Sequence, residues 1–200
     1  LDELLKDVRP IDTIYAVVFS DSETRAAAGR TLNVRTFRSN TFSELKAFFA
    51  GAFDRGITTK TYLNEAILAG LDIAKNMPAN EQKLMVVFSD GEDLNSKYRI
   101  PEVTIEAGRI AKLGIYCIDY MPREQTDEFL AGLAGTHGGR IWKARSAAEL
   151  VPIFQSFKST ILRRYVLTYE LLNPVALAPN ALNFEVLSTT TGAAASHMVF

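Results

Sequence analysis

Two short runs, Leu84-Met85-Val86-Val87-Phe88 and Ile115-Tyr116-Cys117-Ile118, are apolar at every position and lack the alternation of a strand with one wet face. Strands of this kind are buried on both sides, which calls for a parallel sheet with helices packed against it. The intervening segments supply those helices. Leu63, Ala66, Ile67, Gly70, Leu71, Ala74 and Met77 recur at intervals of three and four, so the spacing predicts an amphipathic helix from Thr61 to Met77, ended by Pro78. Further helices are predicted over 101–113 and 125–134, the second stopping at Gly138-Gly139. Two capping boxes, Thr41-Phe42-Ser43-Glu44 and Ser146-Ala147-Ala148-Glu149, open helices whose apolar faces are Leu45, Phe48, Phe49 and Phe53 in the first, and Leu150, Ile153, Phe154, Phe157 and Ile161 in the second. Thr13 to Phe19 reads as a buried strand, 25–34 as an edge strand and 140–143 as a short strand, while Leu1, Leu4, Leu5 and Val8 keep helical spacing for barely two turns. This alternation predicts an α/β fold with a Rossmann-like, doubly wound, mostly parallel sheet flanked by helices.

Composition narrows the function classes. Within 200 residues, 48% are hydrophobic, enough for a full core, which excludes a disordered or fibrous chain. Lys and Arg number 22 against 23 Asp and Glu, so the broad electrostatic drive toward nucleic acid or an anionic membrane is missing. The single Cys117 and the lack of any Cys-x-x-Cys exclude a disulfide scaffold and a zinc knuckle. No apolar run approaches the roughly 18 to 20 residues of a membrane span. The opening Leu1-Asp2-Glu3 is neither an initiator methionine nor a signal peptide, so a piece of a longer protein is expected. After Arg164 the only charged residues are Glu170 and Glu185, and 165–169 and 184–187 alternate like half-exposed strands. The expected organisation is an α/β domain over 1–164 and a short C-terminal β appendage over 165–200.

In an open parallel sheet, ligands bind beyond the carboxyl ends of the strands. Two polar stretches fall there: Ser89-Asp90-Gly91-Glu92-Asp93 after the most apolar strand, and Thr58-Thr59-Lys60-Thr61 before the most regular helix. Read plainly, Asp90 and Glu92 are turn acids, Thr61 is a helix cap, and Asp93 and Asn95 are solvated or capping. His137 has no Ser or Cys partner at a recognisable elbow, which leaves a hydrolytic triad without support. Cys117 reads as a small buried hydrophobe, Trp142 and the Phe48, Phe49, Phe53 face as core, and Asp119 as a residue able to line the crevice.

Taken in order, Phe19-Ser20-Asp21, Thr61-Tyr62-Leu63-Asn64-Glu65-Ala66, Phe88-Ser89-Asp90-Gly91-Glu92-Asp93, Thr136-His137-Gly138-Gly139-Arg140 and Tyr165-Val166-Leu167-Thr168-Tyr169 make the chain resemble a von Willebrand factor A domain of the bacterial kind, over most of residues 1–172. The resemblance implies a metal-ion-dependent adhesion site at the upper edge of the sheet. It holds Mg²⁺, or Mn²⁺ or Ca²⁺ in its place, with Thr61 and Asp90 as the matching metal ligands. It also implies a non-enzymatic adhesion module that binds a protein partner through a carboxylate, without nucleic acid or membrane insertion, and an extracytoplasmic location at the cell surface or in the periplasm. The family's Asp-x-Ser-x-Ser loop has no counterpart in this chain, and Asp21-Ser22-Glu23-Thr24 has the wrong spacing. Mg²⁺ demands a nearly octahedral shell, so the chain as it stands is expected to hold metal weakly or not at all. Loss of the first strand before Leu1 is preferred to a degenerate member without the ion, because a sheet without its central strand exposes unpaired backbone groups. Two other readings stay open: a metal-independent assembly module that docks through a sheet edge and the C-terminal strands, and a metal-dependent phosphoesterase relying on Lys60 and Asp119.

Overall fold

A computed structural model describes residues 13–19, 25–27, 29–54, 60–81, 83–90, 93–120, 127–162, 183–184 and 198–199. The helical spacing at Leu1 to Val8, Thr58 and Thr59, Gly91 and Glu92, and the strand expected over 165–169 lie outside the described residues. The chain divides into two compact units, Leu1–Leu162 and Arg163–Phe200. In the second unit, β8 (Asn183–Phe184) pairs antiparallel with β9 (Met198–Val199).

The first unit is mixed α/β. Its parallel sheet has the order β5 (Lys83–Ser89), β6 (Leu113–Tyr120), β7 (Ile141–Ala144), with Ser89 opposite Asp119 and Asp119 opposite Lys143. β5 and β6 are the strands that read as uniformly apolar; β6 is buried at seven successive positions, whereas β5 leaves Leu84 and Phe88 exposed and so is not buried on both faces as expected. The connections run through α3 (Ile100–Gly108) between β5 and β6 and α4 (Glu128–Thr136) between β6 and β7. One face of the sheet, carrying Val87, Leu113, Ile115 and Cys117, is covered by α3, α4 and α2 (Leu63–Lys75). The opposite face, carrying Ile118 and Ala144, is covered by Ile153 and Phe154 of α5 (Leu150–Leu162). Phe157 of α5 meets Tyr116 and Trp142 edge-on at 5.2 and 5.9 Å, so Trp142 belongs to this packing as expected.

The remaining strands correct the expectation of one mostly parallel sheet. β1 (Ile14–Val18) pairs antiparallel with β4 (Arg35–Ser39), Ala16 facing Phe37, in a separate two-stranded sheet. Val17 and Phe19 pack toward Ala66 and Ala69 of α2, whereas Ile14 and Ala16 pack toward Leu45, Phe48 and Phe49 of α1 (Phe42–Asp54). The single edge strand expected over 25–34 is instead a hairpin of β2 (Arg25–Ala27) and β3 (Arg30–Leu32). Gly29 turns it with a φ of 77°, a conformation that glycine adopts without strain.

Several helix ends also move. The helix expected over 101–113 stops at Gly108, because Lys112, with φ of 57°, turns the chain into β6 and makes Leu113 its first residue. The helix expected over 125–134 starts at Glu128, where the Asp127 carboxylate accepts the Leu130 N–H at 2.9 Å. Neither capping box closes as read. Glu44 accepts from the Ser39 hydroxyl, which together with Thr41 holds its carboxyl below the usual range. Glu149 accepts the Arg145 N–H at 2.9 Å and closes a short 3₁₀ turn, Ala147–Glu149, ahead of α5.

Candidate rim at the carboxyl edge of the sheet

α2 is the helix from which the candidate site is built, and it is buried almost all round. Its buried residues include Asn64, Glu65 and Asp72 along with the apolar stripe. An amphipathic reading misses this, because burial of those polar groups depends on partners distant in sequence. Asp72 takes a 3.1 Å ion pair from Arg30 of β3, whose other guanidinium nitrogen reaches Glu106 of α3 at 3.1 Å. Glu65, 0% exposed, accepts from the Asn33 N–H, from Asn33 Nδ2 at 3.0 Å and from the Lys97 N–H at 3.3 Å. A buried carboxylate is tolerated where donors converge on it in this way.

The first turn of α2 begins at Leu63, two residues beyond Thr61, and the capping residue Tyr62 contributes no side-chain bond. Thr61 is therefore not the cap of this helix. Its N–H donates to Asn95 Oδ1 at 2.9 Å and its carbonyl accepts the Asn95 N–H at 2.9 Å. The Tyr62 N–H reaches the Phe19 carbonyl at the end of β1, at 3.3 Å. Asp93 Oδ2 accepts the Asn64 N–H at 2.9 Å, its Oδ1 accepts the Ser96 N–H at 3.0 Å, and Ser96 Oγ accepts the Glu65 N–H at 3.2 Å. Asp93 and Asn95 are capping residues, one of the two roles expected of them. Asp93 caps a helix some thirty residues upstream as well as the turn that follows it, and Asn95 holds the residue two before that helix.

Asp90 is exposed just beyond Ser89, the buried last residue of β5. The structure thus brings Thr61 and the chain leaving β5 to one rim, at the carboxyl ends of β1 and β5. No hydrogen bond joins Thr61 to Asp90 among the described residues. Asn64 completes the local packing, its Nδ2 donating to the Tyr98 carbonyl at 3.0 Å, while its buried Oδ1 has no hydrogen-bond partner among the described residues.

Along the same rim, Asp119 is 1% exposed, and its Oδ2 has no hydrogen-bond partner among the described residues. Burial pushes its carboxyl up, and the negative charges of Asp127 and Asp90 add to this, while the Asp127 N–H and the Lys143 ammonium pull the other way. Burial likewise pushes the Cys117 thiol up to about 12, with Asp127 and Asp119 adding to the shift. Cys117 is a buried, inert side chain, as read. His137 Nδ1 is engaged with the Leu133 carbonyl and the Thr136 hydroxyl, both at 2.9 Å, at the end of α4.

As a cation cage the described residues are incomplete. Thr61 is tied by its main chain to Asn95 and Asp90 is exposed just beyond β5, and among the described residues no group of three or more His, Cys, Asp or Glu is arranged to hold a metal ion. These two side chains alone do not fit the shell that Mg²⁺ requires. No helix among the described residues is long and apolar enough to cross a membrane. No family model and no curated protein matches the chain. Among solved structures, an uncharacterized membrane spanning protein from Vibrio fischeri is similar at 20% identity, covering 79% of this chain and 80% of its own, with a TM-score of 0.33.

Proposed function

We propose that this chain is a non-enzymatic, protein-binding module of the von Willebrand A type, with a Rossmann-like doubly wound sheet, whose partner meets the rim at the start of α2 and the exit of β5. The observation that carries this reading is the reciprocal Thr61–Asn95 pair, which fixes the start of a helix beside the chain leaving a parallel strand. That is where open α/β sheets bind ligands. The helices on both faces of the parallel sheet support the same reading.

In this proposal Thr61 and Asp90 contribute a hydroxyl and a carboxylate to Mg²⁺, the other oxygens coming from outside the described residues, and a partner carboxylate binds there. An extracytoplasmic location, carried by the resemblance alone, belongs to the proposal as well. Thermal melting tests the ion directly, since a ligand bound only by the native state raises the melting temperature as its concentration rises. We expect millimolar Mg²⁺ or Mn²⁺ to raise it in the full-length protein, EDTA to reverse the rise, and Asp90→Ala and Thr61→Ala to abolish it. A melting temperature indifferent to both metals would end the ion reading.

A second reading has its own observation. Among the described residues β5 is hydrogen-bonded on one side only, and Leu84 and Phe88 on one of its faces are 38% and 41% exposed. An apolar strand with an open edge suits a metal-independent assembly module that takes another strand by β-augmentation.

A further inference from the structure

The N-terminal turn of a helix carries N–H groups without intrahelical partners, and an adjacent Ser, Thr, Asp or Asn ordinarily covers one of them. α2 has no such cap of its own. Its donors are instead taken by a loop that leaves the neighbouring strand: Asn64 N–H by Asp93, Glu65 N–H by Ser96 and, just before the helix, Thr61 N–H by Asn95. The loop is tied back in return, through the Asn95 N–H to the Thr61 carbonyl, the Lys97 N–H to Glu65, and the Tyr98 carbonyl to Asn64 Nδ2. The Asp93 carboxylate also lies at the positive end of the helix, where a negative charge is favourable. In an ion-dependent rim the cation is the joint between the helix start and the strand exit, whereas here side-chain and main-chain bonds make that joint.

We propose that Asp93 and Asn95 are positioning residues that fasten the exit of β5 to the start of α2, so that the rim bearing Thr61 and Asp90 holds its shape without a cation. The proposal rests on the reading of that rim as the binding surface, but its test is separate from that of the ion. A preformed rim spares a partner the ordering of a loop at the moment of binding.

Amide hydrogen exchange, read residue by residue in the full chain with Mg²⁺ and with EDTA, is the test. In the unaltered protein the Thr61 and Asn64 amides are expected to be protected to the same degree in both media. Asn95→Ala should speed exchange at Thr61 by about tenfold or more, and Asp93→Ala should do the same at Asn64. Asn95→Asp keeps the acceptor oxygen and should retain the Thr61 protection, a rescue that a general loss of stability would not give. Amides of Leu68 and Ile118, deep in the core, should stay protected in each variant. Loss of Thr61 and Asn64 protection when EDTA is added to the unaltered protein would overturn the proposal, because the ion would then be the joint. So would unchanged protection in both alanine variants. If the variants behave as expected while Mg²⁺ leaves the melting temperature unmoved, the tether stands and the ion reading alone is lost.

Discussion

At the scale of single residues, Asp119 is where environment and ordinary chemistry part most. It is the last residue but one of the central strand of the parallel sheet, opposite Ser89 on one side and Lys143 on the other, with Asp127 and Asp90 nearby. A buried carboxylate oxygen without a hydrogen bond is costly as an anion and cheaper as a neutral acid. The folded protein therefore holds the Asp119 proton more tightly than the unfolded chain does. Stability from this group is fully present below the ordinary carboxylate pKa and is lost as pH rises through the raised folded value. Urea unfolding between pH 4 and pH 8 should show that loss, and Asp119→Asn, neutral at every pH, should remove its share of the slope. A variant with the same slope as the parent would show that Asp119 is ordinarily solvated.

At the scale of elements, what was legible in the sequence is what is local. The spacing of Leu63, Ile67, Leu71 and Ala74 places α2, and the unbroken apolarity of β5 and β6 places both strands in a parallel sheet, although only β6 is covered on each face and β5 leaves Leu84 and Phe88 exposed. The candidate residues Thr61 and Asp90 were legible as sitting at a helix start and a strand exit. What ties the helix start to the loop after β5 was not, since Asp93 and Asn95 bond Asn64 and Thr61 some thirty residues earlier and Glu65 collects donors from Asn33 and Lys97 on two other segments. No periodicity reports a bond of that range. The nearest available signal was Glu65 itself, a charged residue directly beside the apolar stripe of an otherwise regular helix.

Gly138-Gly139 shows the same divide between local and long-range signals. The pair was readable as a stop for α4, and Gly138, with φ of 65°, fits that role. The role of Gly139 is tertiary, because a Cβ there would stand 1.7 Å from the Ile115 carbonyl oxygen in β6. The Cys117 N–H bonds the Arg140 carbonyl at 3.0 Å in the same place, so the backbone has no room to retreat. Gly138→Ala is expected to cost about 1 kcal/mol for its left-handed backbone. Gly139→Ala is expected to cost roughly 3 kcal/mol or more, at the severe end of single substitutions, by displacing β7 from β6. Denaturant midpoints of the two variants measure the order directly, and equal midpoints would contradict the close approach.

At the scale of the first unit, the β1–β4 sheet and the parallel sheet share one helix. The end of β1 meets the start of α2 through the Phe19 carbonyl, and the exit of β5 meets the same start through Asp93 and Asn95. Midway along α2, a Cβ on Gly70 would lie 2.9 Å from Met85 Cε, which sets β5 close beneath the helix. β1 and β5 therefore both run toward the N-terminal end of α2, yet each is hydrogen-bonded on one side only among the described residues. β5 is seven residues long, contains neither Pro nor Gly, and its one charge, Lys83, is buried with Nζ donating to the Pro78 carbonyl at 3.0 Å. Beyond the buried Lys83 it carries none of the charges, prolines or bulges that blunt a sheet edge, and with no partner strand on its second side among the described residues and Leu84 and Phe88 exposed, it suits pairing with another strand. Analytical ultracentrifugation of the 200-residue chain should show concentration-dependent association. The double substitution Leu84→Lys and Phe88→Lys should shift the chain toward monomer, because two like charges on a short edge oppose both stacking and strand addition. Phe88 also stacks on Tyr120 at 5.3 Å, so some stability is lost with it, about 1 kcal/mol for the ring pair. That loss alone would increase association, and the two effects have opposite signs in the sedimentation profile. A parent chain monomeric at every concentration would show the β5 edge covered in solution, and the assembly reading would then have no surface to use.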